Sequence, residues 1–306
     1  MSVALVILPI ALVILTGWAA RRSGFVPRDA WPGIETLSFR LLIPAILIDA
    51  IGAADLDPAR IGPLAISLIG TVAILGGIAL AMRAVLPRSK VSNASLSSLV
   101  QTSTRWNAFI SLAAADLLYG PEGVLLIAVA MAVLIPFINV GNILIIASLV
   151  RAEAGWRGVL KAVATNPIII GCAIGLVLNP LGGLPEPLSN GFQIVGRAAL
   201  GVGLLAVGAG IEVKRFLAVS RTVVLAVLIR PGLAPLVFLG LGSLAGLAGP
   251  ELVAGVLATA IPAASNGYIV ARKMGGDAEL FADILAWQTL ASLLALPAYL
   301  ALAASL

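Results

Sequence analysis

Asn107-Ala108-Phe109-Ile110 and Asn266-Gly267-Tyr268-Ile269 are near-copies of one another, each set in the middle of a long apolar stretch, one in each half of the 306-residue chain. The echo extends beyond them. Pro9-Ile10 followed by Gly17 recurs as Pro167-Ile168 followed by Gly175, and Arg40 near an apolar run recurs as Arg197. The asparagines, prolines and arginines are offset by 159, 158 and 157 residues, in order and at almost one spacing. The chain therefore reads as two homologous halves, 1–150 and 158–306.

Composition fixes the medium in which these halves fold. With 60% hydrophobic and 11% charged residues and a mean hydropathy of +1.11, the chain has too few charges to cover a water-soluble surface. Its apolar runs are about 20 residues long, the length at which a helix crosses a bilayer core of about 30 Å; the ten-residue alternation of membrane strands is not seen. The fold class expected is an all-α membrane protein. One cysteine, Cys172, leaves no intramolecular disulfide and no cysteine metal site, and the absence of histidine removes the commonest metal ligand and general base. No metal and no cofactor is expected.

Charged and Pro/Gly-rich punctuation divides the chain into ten expected helices at about 3–20, 36–53, 62–82, 94–119, 123–150, 158–179, 188–211, 219–246, 251–273 and 280–304. The first is read as a retained helix, since Arg21 and Arg22 follow its apolar run where a secretory signal carries its charges in front. Basic residues then orient the bundle. Arg21, Arg22, Arg28, Arg83, Arg88, Lys90, Arg151, Arg157, Lys161, Lys214, Arg215, Arg221, Arg272 and Lys273 all fall in alternate connections, and the opposite connections hold only Arg60. The positive-inside rule makes the first set cytoplasmic and both termini periplasmic. The net charge of +5 thus reflects topology and anionic lipid, not nucleic acid. Five helices per half force the second half to enter from the other side, so the repeats are inverted: helices 1–5 in 1–150 and helices 6–10 in 158–306.

Matching polar breaks in helices 4 and 9 are where transporters built from inverted repeats place their binding site. Pro262 lacks the amide proton of the helical ladder, and Ser265-Asn266-Gly267 follows with polar side chains and a flexible backbone. Helix 4 has no proline there. Its break must come from Gln101-Thr102-Ser103-Thr104-Arg105-Trp106-Asn107, whose side chains compete for backbone hydrogen bonds. Half-helix N-termini at such breaks favour an anion, and asparagine supplies donor and acceptor without a charge to desolvate. Asn107, Asn266, Arg105, Ser265 and Thr104 are the substrate-binding candidates, with Pro262 and Gly267 shaping the break.

At this level of detail the chain resembles the auxin efflux carrier family in its short bacterial form. The resemblance rests on Leu8-Pro9 leading to Gly17 and Arg21-Arg22, Leu42-Ile43-Pro44-Ala45-Ile46-Leu47, the Asn107 segment ending in Tyr119-Gly120, Asn166-Pro167, and Ile261-Pro262-Ala263-Ala264-Ser265-Asn266. It implies ten helices with helices 4 and 9 broken and crossing, external termini, and a scaffold and a mobile transport domain that each draw helices from both repeats. It also implies export of organic carboxylates from the bacterial inner membrane, with Asn107 and Asn266 contacting the carboxylate. The chain departs from the family in lacking a helix-4 proline and a long cytoplasmic loop.

The remaining polar residues have plainer readings beside functional ones. Arg105 at mid-membrane costs about 2.5–3.5 kcal/mol on insertion scales, so it faces an anion, water, or a structural partner such as Asp116 or Asp49. Arg40 and Arg230 read as snorkelling residues, as Arg197 also can. Asp49, Asp116 and Asp283 are the carboxylates available to couple a proton. Asn139 and Asn142 read as packing residues, and Trp18, Trp31, Trp156 and Trp287 as interface anchors or core filling.

Function follows as an expectation: a secondary transporter exporting a small organic anion, a carboxylate, by elevator-like or rocking alternating access. An interior-negative potential supplies about 2.3 kcal/mol per charge per 100 mV, so export of a monoanion needs no coupled ion. Two alternatives stay open. One is a sodium-coupled symporter of the bile-acid carrier type, for which Gln101, Ser103 and Gln288 are a thin supply of oxygen ligands; the other is a ligand-gated channel or receptor on the same fold. An intramembrane enzyme lacks its parts, since there is no Asp-rich diphosphate motif and no Ser–His pair. Expected partners are the carboxylate, membrane lipid and, as one assembly, a second copy in a homodimer. The topology makes a direct prediction: a C-terminal reporter active only in the cytoplasm stays dark, and a bright one would show the helix count or the orientation to be wrong.

Overall fold

In a bilayer every backbone amide and carbonyl must find its partner within the chain, which leaves long runs of Leu, Ala, Ile and Val no stable alternative to the helix. The computed structural model describes residues 3–87, 89, 91–150 and 156–306, and those residues form helices and connections with no strand. Arg88, Lys90 and Arg151, three of the basic residues assigned to the cytoplasmic side, lie outside the described residues, as does the side chain of Trp156. The helices are α1 (Val3–Ser23), α2 (Trp31–Leu37), α3 (Ile43–Gly52), α4 (Pro58–Ala81), α5 (Asn93–Thr104), α6 (Ala108–Val150), α7 (Trp156–Ala164), α8 (Pro167–Leu178), α9 (Glu186–Ala209), α10 (Arg221–Val227), α11 (Ala234–Leu244), α12 (Gly249–Ala260), α13 (Asn266–Met274) and α14 (Ala278–Ala304). Among the described residues five stretches are long and apolar enough to cross a membrane: Pro58–Ala84, Asn93–Val150, Glu186–Ala209, Arg221–Leu244 and Ala278–Ala304. The protein is a multi-pass membrane protein.

Local chemistry explains most boundaries. Ser92 caps α5 by accepting the Ser95 amide at 3.0 Å, and Ser220 and Asp277 cap α10 and α14 in the same way. Within α6 the chain turns at Gly120, whose φ of 57° and ψ of −136° suit glycine alone, so the long helix is two rods joined there. A widened π-helical turn joins α2 to α3 at Ser38–Leu42 and α10 to α11 at Leu228–Leu233. The sixth expected helix, 158–179, is interrupted. Pro167 holds Asn166 in the extended region, and the Asn166 side chain caps the Ile168 amide at 3.0 Å, so α7 stops at Ala164 and α8 starts afresh.

The chain divides into two compact units, Met1–Gly62 with Ala108–Ile135 and Ala162–Ile211, and Pro63–Asn107 with Pro136–Lys161 and Glu212–Leu306. In the first unit glycines let helices meet backbone to backbone. A Cβ on Gly17 would lie 2.0 Å from the Leu205 carbonyl oxygen and one on Gly208 1.8 Å from that of Ile14, so α1 and α9 can touch only through glycine. Gly171 on α8 and Gly196 on α9 likewise meet the backbone of Pro44 and Ile46 of α3, and Gly175 on α8 admits the Ile51 side chain. Trp31 is core filling here, packed with Ala206 and Ala209. The second unit has a larger apolar core: Leu75 and Ala79 of α4, Leu96, Leu99 and Val100 of α5, Val223 and Ala226 of α10, and Ile284 of α14. Phe238 of α11 lies against Gly255 of α12, where a Cβ would meet its ring at 1.7 Å.

Two glycines on one helix give a matched test. Gly208→Ala forces α1 and α9 apart and should lower stability by about 1–3 kcal/mol. Gly201→Ala has nothing within 4 Å of the new methyl group and should be neutral or gain up to about 1 kcal/mol of helix propensity. Thermal melts in detergent that failed to separate the two variants would contradict this account of the helix contact.

Candidate functional site

Both polar stretches identified in the sequence are breaks. α5 ends at Thr104, Arg105 is extended with ψ 153°, and helix resumes at Ala108; α12 ends at Ala260, Ile261 is extended with ψ 149°, and helix resumes at Asn266. The two breaks are joined directly. The Asn107 amide donates to the Pro262 carbonyl at 2.9 Å, so each break satisfies part of the other.

Breaking two helices strands their last carbonyls, and buried side chains take them up. Arg230, 1% exposed, donates through Nε to the Ile261 oxygen at 3.0 Å and through one terminal nitrogen to Ala258 at 2.7 Å. Its other terminal nitrogen reaches the Ser103 and Thr104 oxygens at 3.3 and 3.4 Å. One guanidinium thus holds the C-terminal ends of both α5 and α12. Gln288, fully buried on α14, is the second peg: its Nε2 donates to Thr102 and Ala226 at 3.1 Å each, and its Oε1 accepts the Ala263 amide at 3.1 Å. Pro231, inside the neighbouring π-helical turn, has no N–H to give to the helical ladder. Arg230 is therefore not a snorkelling residue. It stands nine residues into the Arg221–Leu244 span, about 14 Å along the helix, a depth that the sequence reading passed over.

Arg105 differs from Arg230. It is 5% exposed, and among the described residues its one side-chain hydrogen bond runs from a terminal nitrogen to Asn139 Oδ1 at 3.1 Å and its Nε has no partner. One turn earlier on α5, Gln101 is fully buried with neither amide atom hydrogen-bonded. Gly267 completes the wall beside Arg105, since a Cβ there would lie 2.9 Å from Arg105 Cδ and 2.4 Å from the Phe281 ring. Buried polar atoms are almost always paired, so an unpaired cationic nitrogen and an unpaired amide on adjacent turns single this face out.

The other candidates are placed as follows. Asn107 is 4% exposed, whereas Asn266 is exposed at the first turn of α13 and makes no side-chain hydrogen bond among the described residues. Ser265 is half-buried just before it, and Pro262 is buried. The Thr104 hydroxyl is engaged already, donating to Val100 at 2.9 Å and accepting from Asn142 Nδ2 at 3.0 Å. Asn139 and Asn142 therefore brace the break from α6. Asp283 lies apart from it, bound to Arg215 at 2.9 Å in a cluster with Glu212 and Glu279. Asp49 and Asp116 belong to the first unit, where they line a cavity of about 330 Å³ with Arg197 and Gln193, and Asp49 accepts from the Ser189 hydroxyl at 2.5 Å.

Residues 156–300 match the family model Mem_trans, described as membrane transport protein. Over that stretch the match bears out the resemblance to the auxin efflux carriers. No curated protein matches the sequence. The contrast between the two buried glutamines is testable: Gln288→Leu orphans an amide and two carbonyls and should cost at least about 1–3 kcal/mol, whereas Gln101→Leu removes an unpaired amide and should leave stability unchanged or raised. Equal melting temperatures for the two variants would show that Gln288 does not hold the breaks.

Proposed function

From a multi-pass membrane protein whose residues 156–300 belong to a membrane transport protein family, we propose a secondary transporter that exports a small organic anion, a carboxylate, by alternating access at the paired breaks. The observation that carries this reading is Arg105: a buried cation beside both breaks, with one neutral partner and a free Nε, in a medium where an uncompensated charge is costly. A carboxylate supplies the missing charge and the missing acceptor together. α6 and α13 begin immediately after the breaks, and the positive ends of helices favour the same group.

The proposal includes the two inverted repeats, 1–150 and 158–306, with helices 4 and 9 crossing at their breaks. The twin roles of Gly17 and Gly175, each admitting a close neighbour at equivalent places in the two halves, support it. It also includes a bacterial inner-membrane location with periplasmic termini. Among the coupling candidates Asp283 is the least apt, because Arg215 already holds it. The sodium-symporter alternative loses an oxygen ligand, since Gln288 Oε1 is bound to the Ala263 amide.

A thermal-shift screen of the purified protein against small mono- and dicarboxylates tests the ligand class. A true ligand at 100 times its dissociation constant stabilises the protein by about 2.7 kcal/mol, and silence across the panel would count against a carboxylate. Arg105→Gln should abolish that shift while leaving the unliganded melt near its original temperature. Asn266→Ala, at an exposed position with no protein partner, should weaken binding by about 1–3 kcal/mol, roughly five- to 150-fold, without altering stability. Unchanged affinity in both variants would remove the breaks as the site.

A further inference from the structure

We propose that Arg230 is a built-in counter-cation, its guanidinium occupying the carbonyl-lined position at which broken-helix transporters coordinate a coupling cation. The inference rests on the transporter reading above. In such proteins the C-terminal ends of half-helices and the unwound carbonyls beside them are the ligands of the coupled ion. Here those groups are the oxygens of Ser103 and Thr104 from α5 and of Ala258 and Ile261 from α12, and all four accept from Arg230.

Charge and shape both fit. Each helix C-terminus carries about half a negative charge, so two converging ends present roughly one, and one guanidinium cancels it. Among the described residues of its unit no carboxylate pairs with Arg230, and the groups that meet its charge there are carbonyl dipoles. Burying a cation without a counter-ion is costly unless something in the fold needs it, and the two severed helix ends are that need. The planar fork reaches two helices at once, which the single ammonium of a lysine does not. Its backbone is set by the π-helical turn Leu228–Leu233, and the turn is anchored by Tyr299, whose hydroxyl donates to the Gly232 oxygen at 2.6 Å. A diffusible sodium ion would meet the guanidinium's own charge among these four carbonyls. The anion's passage then needs no cation partner.

The test compares melting temperatures of purified protein, a readout that needs no substrate. Wild-type protein should melt at the same temperature in sodium, lithium, potassium and choline chloride at equal ionic strength. Arg230→Ala should melt lower by roughly 5–15 °C, and millimolar guanidinium or methylguanidinium should restore it saturably while doing nothing for the wild type. Sodium or lithium stabilising the wild type over choline would overturn the proposal, because a free cation site would then exist. So would an Arg230→Ala protein that melts normally, or one that folds with a lowered melt that no small cation restores. If Arg230→Ala cannot be purified, the wild-type salt series decides by itself. A wild type that ignores sodium yet binds no carboxylate would sink the anion reading and leave this inference standing.

Discussion

Two carbonyl-bearing helix ends meet inside a bilayer, and the second unit is organised around giving them partners. Water would solve the problem in a soluble protein. In hydrocarbon each unsatisfied group costs several kcal/mol, so a broken helix survives only where side chains replace the missing ladder. Arg230 and Gln288 do this together, one for the last carbonyls of α5 and α12, the other for Thr102 and the Ala263 amide. The Asn107–Pro262 hydrogen bond closes the remaining gap between the breaks. The apolar core of α4, α5, α10 and α14 gives Gln288 a rigid seat.

This arrangement separates two arginines that look alike in sequence. Arg230 is saturated by carbonyls and is structural to the breaks; Arg105 keeps an unpartnered Nε among the described residues, and that difference supports the proposal that it binds the substrate. Fixed positive charge in the fold leaves the variable charge to the substrate. On the proposed reading such a site attracts an anion and carries its charge across the membrane, so the membrane potential itself does the work.

Much of the architecture was legible because the bilayer narrows the choices. Apolar run length gave the long membrane-crossing stretches, Pro262 and the polar run 101–107 gave the breaks, and the Gly120-Pro121 punctuation between the expected helices 94–119 and 123–150 falls at the turn within α6. The interruption at Thr165-Asn166 was missed because hydropathy runs smoothly across it, although Asn166-Pro167 is itself a helix-start signal. At the site, types and positions were readable but partnerships were not. Arg230 looked like an interfacial residue until the carbonyls of Ser103 and Ala258, more than a hundred residues apart, were brought to it. Thr104 looked available until Asn142 took its hydroxyl. Such pairings depend on helix rotation, and a sequence of Leu, Ala and Gly leaves rotation to close packing at glycines such as Gly255 and Gly267.

The central claim is an anion carried by its own charge through a site that brings its own cation. Purified protein in potassium-loaded proteoliposomes, with a labelled carboxylate identified by binding and an interior-negative potential imposed by valinomycin, tests it most directly. The account predicts efflux that accelerates with the potential, toward about a fiftyfold gradient per 100 mV for a monoanion, in choline medium with no sodium or pH gradient. Flux that ignores the potential, or that appears only when a sodium or proton gradient is added, would contradict it.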